Sequence, residues 1–287
     1  MRRWFWVRSF LFMAMLLGMA AMSAGTSAAE DDLMDTTKHP VAVTMAMQAD
    51  TFFGFNPSFY GTYGLTKDVA FAFSTTYWTD IQGLGVHDSN PWLELDLGLN
   101  LTFLDKRLSI TPMIGSVHGQ LLSSRGGAFP KGGGSRSERS TAFDGWVPSI
   151  TVNYLDTRVE GEFYMGYYKA GRNEGGQGGA IGGTRDPTQC AQEIGACASG
   201  NRGTWDFLHW WGNAGYRINS LISIGGHYEQ LLTTRDSSAP GAAQDYYRWI
   251  GPYVEMKLPG SMAFRFTTGK DLTDNEDFYK IKFTKTF

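Results

Sequence analysis

The sequence beyond residue 29 lacks three features that common protein classes need. It contains no stretch of eighteen apolar residues, and this excludes a transmembrane helix. No cysteine directly follows residue 29, where an N-terminal export signal would be cleaved, so a lipoprotein anchor is not expected. An excess of basic residues is also absent, which excludes nucleic acid as a partner class.

The first 29 residues predict a secretory signal peptide. Arg2, Arg3 and Arg8 precede an apolar run, and small residues end the segment at Ala29, as in exported proteins. Removing them takes three bases from 25, which leaves 22 against 28 acidic residues and a net charge of about −6. Residues 30–40 are then expected to form a periplasmic N-terminal segment.

The stretch from Trp92 to Phe103 alternates between large apolar side chains and polar or small ones. Odd positions from Leu93 onward are apolar, whereas Glu94 and Asp96 occupy even positions. This period of two is typical of a strand. Tilted by about 40°, a strand of this length crosses about 27 Å, which matches the apolar band of an outer-membrane barrel. The stretch therefore predicts a strand with one face toward lipid and one toward water.

Short turns and longer Gly- and Ser-rich segments alternate along the rest of the chain. Five short turns and six longer loops predict an all-β, antiparallel up-and-down barrel of twelve transmembrane strands over residues 41–287. Short turns are typical of the periplasmic side and long loops of the extracellular side. The predicted strands begin at Val41, Pro57, Val69, Trp92, Leu108, Gly145, Arg158, Trp205, Leu221, Tyr246, Ser261 and Asp277. The expected location is the bacterial outer membrane.

Aromatic residues lie near the predicted strand ends. Rings in such positions typically form two girdles at the membrane interfaces. The group near the long loops is Trp78, Trp92, Trp146, Trp205 and Trp249, and the group before the short turns is Tyr63, Phe103, Tyr154 and Tyr216.

The last ten residues resemble the C-terminal signature of bacterial outer-membrane proteins. In that signature a terminal aromatic residue follows apolar residues at alternate positions, which Tyr279, Ile281, Phe283 and Phe287 match and Lys285 does not. The resemblance implies that the outer-membrane assembly machinery recognises the chain through Phe287. Lipid and lipopolysaccharide are the further expected partners.

The strand alternation assigns most charged side chains to the barrel lumen. A base left on the lipid face would cost about 2–4 kcal/mol near the midplane. The predicted pore-lining residues are Glu94, Asp96, Arg158, Glu160, Glu162, His209, Arg217, His227, Glu229, Glu255, Lys257, Arg265, Lys280 and Lys282.

The lumen charges predict a narrow passive channel for small hydrophilic solutes. Acids from the middle strands would face bases from the last strands and create a transverse field. The alternative is that these groups pair across the interior and block it. At the level of fold, the chain resembles the narrow twelve-stranded channels, such as nucleoside and acidic-oligosaccharide pores, more than general porins.

The longest loop, from Ala170 to Thr204, contains Cys190 and Cys197. A disulfide between them would stabilise the loop by about 2–3 kcal/mol. The stiffened loop would either fold inward as a cap or remain outside, protected against proteolysis. If the barrel does not conduct, this loop is the candidate surface for binding a ligand.

Ser116 and His118 give a rival hypothesis, because they share the lipid face of one predicted strand. Outer-membrane phospholipases and lipid A deacylases present a serine and a histidine to lipid in this way, with the histidine first. The resemblance implies acyl hydrolysis by an activated hydroxyl, but the order is reversed here. No residue pattern predicts a metal site or a cofactor.

Overall fold

The structure is a computed structural model that describes residues 37–78, 92–119, 122, 141–171, 205–236 and 245–287. Twelve strands occur in this part of the chain. The first six are β1 (Val41–Asp50), β2 (Gly54–Gly64), β3 (Val69–Trp78), β4 (Trp92–Phe103), β5 (Leu108–Gly119) and β6 (Thr141–Leu155). The others are β7 (Val159–Ala170), β8 (Trp205–Arg217), β9 (Ile222–Asp236), β10 (Asp245–Leu258), β11 (Met262–Asp271) and β12 (Asp277–Thr286).

The strands form one closed antiparallel barrel in which each pairs with its sequence neighbours and β1 pairs with β12. At the closure Thr44 lies opposite Thr286 and Asp50 opposite Lys280. Closure leaves no sheet edge with unpaired backbone groups, which a hydrocarbon environment requires. The predicted all-β, twelve-stranded up-and-down barrel is confirmed.

The predicted strand starts agree with the structure to within one residue for ten strands. The exceptions are β2, which begins at Gly54 rather than Pro57, and β6, which begins at Thr141 rather than Gly145. Both added segments lie at the extracellular end of the barrel. Strands there extend beyond the apolar band, so their side chains need not alternate between apolar and polar.

The outward face of the barrel is apolar. On β4, Leu95, Leu97 and Leu99 are 42%, 52% and 42% exposed, which water would disfavour but lipid accommodates. No helix in the described part of the chain is long and apolar enough to cross a membrane. The barrel and its apolar band locate the protein in the bacterial outer membrane.

Arg158, which was expected to line the lumen, lies in the periplasmic turn between β6 and β7. Arg158 is exposed in this turn, one residue before β7 begins. The Thr157 N–H donates to Asp156 at 2.7 Å, and this bond, helped by Arg107, lowers the pKa of the Asp156 carboxyl from its ordinary value. The turn is therefore ordered by its own polar groups, and Arg158 lies outside the lumen.

Lys285, the departure from the terminal signature, lies on β12 close to the periplasmic end. Its ammonium group donates to the carbonyl of Gly260 in the β10–β11 turn. The aliphatic stem therefore spans the membrane edge while the charge reaches a polar partner, as expected for a snorkelling lysine.

Candidate functional site

Two cavities occupy the described barrel interior. The upper cavity, of about 520 Å³, extends from the extracellular end, at Phe53 and Trp78, down to Arg265. The lower cavity, of about 260 Å³, lies toward the periplasmic turns, beside Leu155 and Lys257. The lumen therefore contains space at two levels, lined by both charged and apolar side chains.

An aromatic layer lies inside the barrel at its extracellular end. The Phe53 and Trp78 rings pack at a tilt with centroids 4.6 Å apart, whereas Trp249 stacks on Tyr247 at 4.2 Å and on Phe278 at 4.8 Å. The aromatic layer consists of Phe53, Trp78, Trp92, Tyr168, Tyr247, Trp249 and Phe278, all of them buried. It forms an apolar ceiling over the upper cavity.

The position of three tryptophans corrects the predicted girdle. Trp78, Trp92 and Trp249 are 9%, 7% and 2% exposed and point into the lumen, whereas Trp146 faces outward at 50% exposure. The prediction placed all three tryptophans correctly at the extracellular end of their strands, but it wrongly placed them on the lipid-facing side. Strand alternation could have predicted the correct face, because Trp92 and Glu94 are two residues apart and therefore point to the same side of β4.

The short connection between β1 and β2 inserts Phe53 into the lumen. The Phe52 and Phe53 N–H groups donate to Asp50 Oδ1 at 3.0 and 2.6 Å. Asp50 is itself only 3% exposed, so this turn is fixed from inside. Sequence reasoning placed these residues in an extracellular loop and missed the inward aromatic ring.

Glu229 is the centre of a buried polar network on the wall made by β8 to β12. Lys280 Nζ lies 2.6 Å from Glu229 Oε2, and the Tyr247 hydroxyl donates to Oε1 at 3.0 Å. The imidazole Nε2 atoms of His209 and His227 lie 2.9 and 3.1 Å from the same carboxylate. Glu229 is fully buried, and this network supplies the partners that a buried charge needs.

A second network lies where the two cavities meet. Arg265 bridges Glu162 at 2.9 Å and Glu255 at 2.7 Å, and Lys282 approaches Glu162 at 3.8 Å. Below it, Lys257 lies 3.3 Å from Glu160. These networks around Glu229 and Arg265 are called here the ion-paired wall.

Glu94 and Asp96, called here the acidic pair, are satisfied differently. Trp78 Nε1 and the Tyr168 hydroxyl each donate to Glu94 Oε2 at 3.0 Å. Ser74 Oγ donates to Asp96 Oδ2 at 2.6 Å. In the described part of the chain, neither carboxylate makes an ion pair with a base, and Asp96 Oδ1 has no hydrogen-bond partner.

Gly115 makes the room that the acidic pair needs. It lies opposite Asp96 on the neighbouring strand β5. A Cβ atom at this position would lie 1.9 Å from Asp96 Oδ1, so any larger residue would displace the carboxylate. The glycine therefore keeps Asp96 against the barrel wall beside the upper cavity.

Most of the residues expected in the lumen line one of the two cavities. Arg158 does not, as described above, and Arg217 lies at the periplasmic end of β8, where it donates to the Asp156 carbonyl at 3.2 Å. The acids and bases do not form two opposed, unpaired walls as expected, because the bases are held by nearby acids. Those lining the cavities are Glu94, Asp96, Glu160, Glu162, His209, His227, Glu229, Glu255, Lys257, Arg265, Lys280 and Lys282.

Ser116 and His118 lie on β5, whose even-numbered residues face lipid. Ser116 Oγ lies 2.9 Å from His118 Nε2, which is within hydrogen-bonding distance. The Phe143 ring lies edge-on to the histidine at 6.4 Å between centroids. The two polar groups thus contact each other on the outer surface, near the extracellular end.

The predicted disulfide of Cys190 and Cys197 lies outside the described residues, as does the predicted signal peptide. Within the described ranges, no group of three or more His, Cys, Asp or Glu side chains is arranged to hold a metal ion.

Comparisons with known proteins agree with the barrel fold. A family model with the description "Family of unknown function (DUF6733)" matches residues 7–184 and 193–287, and no curated protein matches the sequence. The COG4313 outer membrane channel from Pseudomonas putida F1 is similar at a TM-score of 0.51 and 11% identity, over 86% of this chain and 95% of that chain. KdgM porin has a TM-score of 0.44 at 8% identity, over 85% and 99%. At such identities the likeness concerns the fold.

Proposed function

The chain belongs to the family of unknown function DUF6733, and we propose that it forms a narrow outer-membrane channel for passive passage of small hydrophilic solutes. The observation that carries the proposal is that two cavities lined by charged side chains adjoin each other in the lumen. The two cavities share six lining residues, which are Tyr60, Asn153, Glu162, Asn213, Arg265 and Lys282. A solute that passes from one cavity to the other would therefore contact these six side chains.

The constriction between the cavities sets the size of the solute. Arg265 and Glu162 are joined there at 2.9 Å, and Asn213 donates to Glu162 at 3.2 Å. A cavity of about 520 Å³ falls within the range of about 300–1,000 Å³ that is typical of small-molecule sites. The channel is accordingly selective for small solutes rather than a general pore.

The aromatic layer acts as the extracellular gate. Phe53 is the one member supplied by a connection between strands rather than by a strand, so removing its ring should leave the strand pairing intact. Displacing this ring opens the ceiling of the upper cavity. Removing the ring should have the same effect permanently.

The test uses the full chain refolded into planar bilayers and into liposomes. The wild type should show small single-channel steps and admit small neutral solutes in swelling assays. Phe53→Ala should give larger steps and faster swelling, because the ring no longer closes the ceiling. Phe55→Ala is the matched control, since Phe55 is exposed on the outward side at 41% and its loss should not alter conductance.

Absence of conductance and swelling in both the wild type and Phe53→Ala would contradict the channel. A non-conducting barrel that binds a surface ligand, and loses this binding when residues 170–204 are deleted, would instead be a surface-binding protein.

A second candidate function is acyl hydrolysis at the lipid face, favoured by the 2.9 Å contact between Ser116 Oγ and His118 Nε2. In this reaction His118 would take the hydroxyl proton while Ser116 attacks an ester carbonyl, and the protonated His118 would return that proton to the departing alcohol as the ester bond breaks. Water would then hydrolyse the acyl-serine, which releases the fatty acid and restores Ser116. Fatty acid release from phospholipid or lipid A should then be lost in Ser116→Ala. Ser109→Ala is the control, because Ser109 lies on the opposite face of β5 and contacts Asn153. No release by the wild type would remove this candidate.

A further inference from the structure

Five lumen-facing side chains on adjacent strands form one row around the wall of the upper cavity, called here the lumen row. Thr111 on β5 lies opposite Thr151 on β6, and Thr151 lies opposite Tyr164 on β7. Tyr164 in turn lies opposite Trp211 on β8. Asn100 on β4 joins the row because its Nδ2 donates to Thr111 Oγ1 at 2.8 Å. All five residues line the upper cavity, so amide and hydroxyl groups lie beside two aromatic rings.

The two rings of the lumen row form a platform in the cavity wall. Tyr164 and Trp211 are nearly parallel, with 21° between their planes and 5.8 Å between their centroids. A Cβ atom at Gly166 would overlap the Tyr164 hydroxyl, so the tyrosine side chain lies along β7 over this glycine and does not cross the cavity. Both rings are only partly buried, which leaves apolar surface for a solute.

The lumen row contains no charged side chain, and the charges around it are engaged. Glu229 lies opposite Trp211 at the end of the row and is held by Lys280 at 2.6 Å. The carboxylates of the acidic pair are each 4% exposed and offer the cavity little surface. A charged solute at the row would lose hydration without gaining a free partner charge, whereas a neutral solute would not.

The chemistry of the lumen row matches that of a cyclic sugar. A pyranose ring has a face of C–H groups and a rim of hydroxyl groups. Aromatic rings bury apolar surface of this kind, and the amide and hydroxyl groups of the row can donate to and accept from the rim. An apolar solute of the same shape would leave those polar groups unpaired, which disfavours it strongly.

We propose that the lumen row is a binding site for neutral monosaccharides in the upper cavity. This names the solute class of the proposed channel and rests on that function for its physiological meaning. The C–H face of the sugar lies on the two rings, while its hydroxyl groups bond the amide and hydroxyl groups of the row. The cavity of about 520 Å³ is of the size typical of small-molecule sites.

The test is a titration of the full chain, refolded in detergent, with glucose, galactose and mannose separately. Trp211 belongs to the platform, so tryptophan fluorescence should change saturably as the site fills. This change should be largely lost in Trp211→Phe. It should remain in Trp146→Phe, the matched control, because Trp146 faces outward at 50% exposure.

Two further variants separate the platform from the hydrogen-bonding groups. Tyr164→Ala removes half of the platform and should weaken binding by about tenfold. Phe163→Ala is its control, since Phe163 lies on the outward face of the same strand at 37% exposure. Thr151→Val keeps the shape but loses the hydroxyl group, and it should weaken binding by about fivefold. Thr75→Val, opposite the outward-facing Leu95, should bind like the wild type.

Two other solutes test which property of the sugar is recognised. Glucuronate adds a charge to the same ring and should bind more weakly, because the bases in the cavity are engaged. Cyclohexanol has a ring of similar size with a single hydroxyl group and should also bind more weakly. Heat-modifiable migration on gels reports whether each variant is folded.

The proposal is overturned if none of the three sugars gives a saturable change, if folded Tyr164→Ala and Thr151→Val bind like the wild type, or if glucuronate or cyclohexanol binds as tightly as the sugars. This experiment needs no conduction. Binding without conductance or swelling would refute the channel and keep the site, whereas conductance without binding would keep the channel and refute the site.

Discussion

The two sides of the lumen stabilise their buried carboxylates by different means. On the ion-paired wall, Glu229 is balanced by Lys280 and by histidine and tyrosine groups. In the acidic pair, Glu94 and Asp96 receive only neutral donors. The first arrangement contains its own cation, whereas the second has none among the described residues.

This difference separates charges that are paired within the barrel from carboxylates that have no cationic partner among the described residues. Breaking a complete buried pair leaves an unpaired charge, which is strongly destabilising. Neutralising a carboxylate that has no cation removes a repulsion and leaves the hydrogen bonds in place. The two walls should therefore respond in opposite ways to the same kind of substitution.

The largest expected effect is the loss of stability in Lys280→Met. Glu229 is fully buried, so removing its cation should lower the free energy of unfolding by about 3–5 kcal/mol. Urea titration of the refolded barrel in lipid measures this change. Lys67→Met is the control, because the Lys67 side chain is 89% exposed, and it should leave the midpoint unchanged.

Adding Glu229→Gln to Lys280→Met should recover most of that loss, since the unpaired charge is then gone. A double variant as unstable as the single one would show that Lys280 acts through packing and not through its charge.

An intermediate effect is expected for Arg265→Gln. The side chains of Arg265, Glu162 and Glu255 are 17%, 22% and 12% exposed, so solvent screens part of the loss, which should be about 2–3 kcal/mol. The same change widens the constriction between the cavities. Single-channel conductance should therefore rise as stability falls, and Arg158→Gln, in an exposed turn, should alter neither.

The smallest effect on stability is expected for Glu94→Gln combined with Asp96→Asn. The free energy of unfolding should stay within about 1 kcal/mol of the wild type, because the exchanged groups accept the same hydrogen bonds. The ion selectivity should nevertheless shift toward anions, measured as the reversal potential in a salt gradient. An unchanged reversal potential together with a large loss of stability would make the acidic pair a structural element like the other wall.

Strand alternation predicted the barrel well because lipid and water impose opposite demands on successive residues. It assigned Glu94 and Glu229 to the inner face and set the start of β4 at Trp92, as the structure has it. Each of these inferences depends on one strand alone, where the period of two is sufficient information.

Contacts across the lumen could not be predicted in the same way. The 2.6 Å contact between Lys280 and Glu229 joins residues 51 positions apart on strands that are not neighbours. It depends on barrel diameter and strand stagger, which the alternation does not contain. The inward turn of Phe53 depends on Asp50 being buried, and this too becomes visible only once the barrel is closed.

The pairing of β1 with β12 also has a consequence for the order of folding. Thr44 and Thr286 share a hydrogen bond although 242 residues separate them, and bringing such distant segments together carries a large loop-closure entropy. The eleven pairs of sequence-neighbouring strands can form locally before this seam does, and until it forms both seam strands expose unpaired edges. Closure of the seam is therefore the slow, late step of assembly, and the intermediate that precedes it is the form most exposed to aggregation.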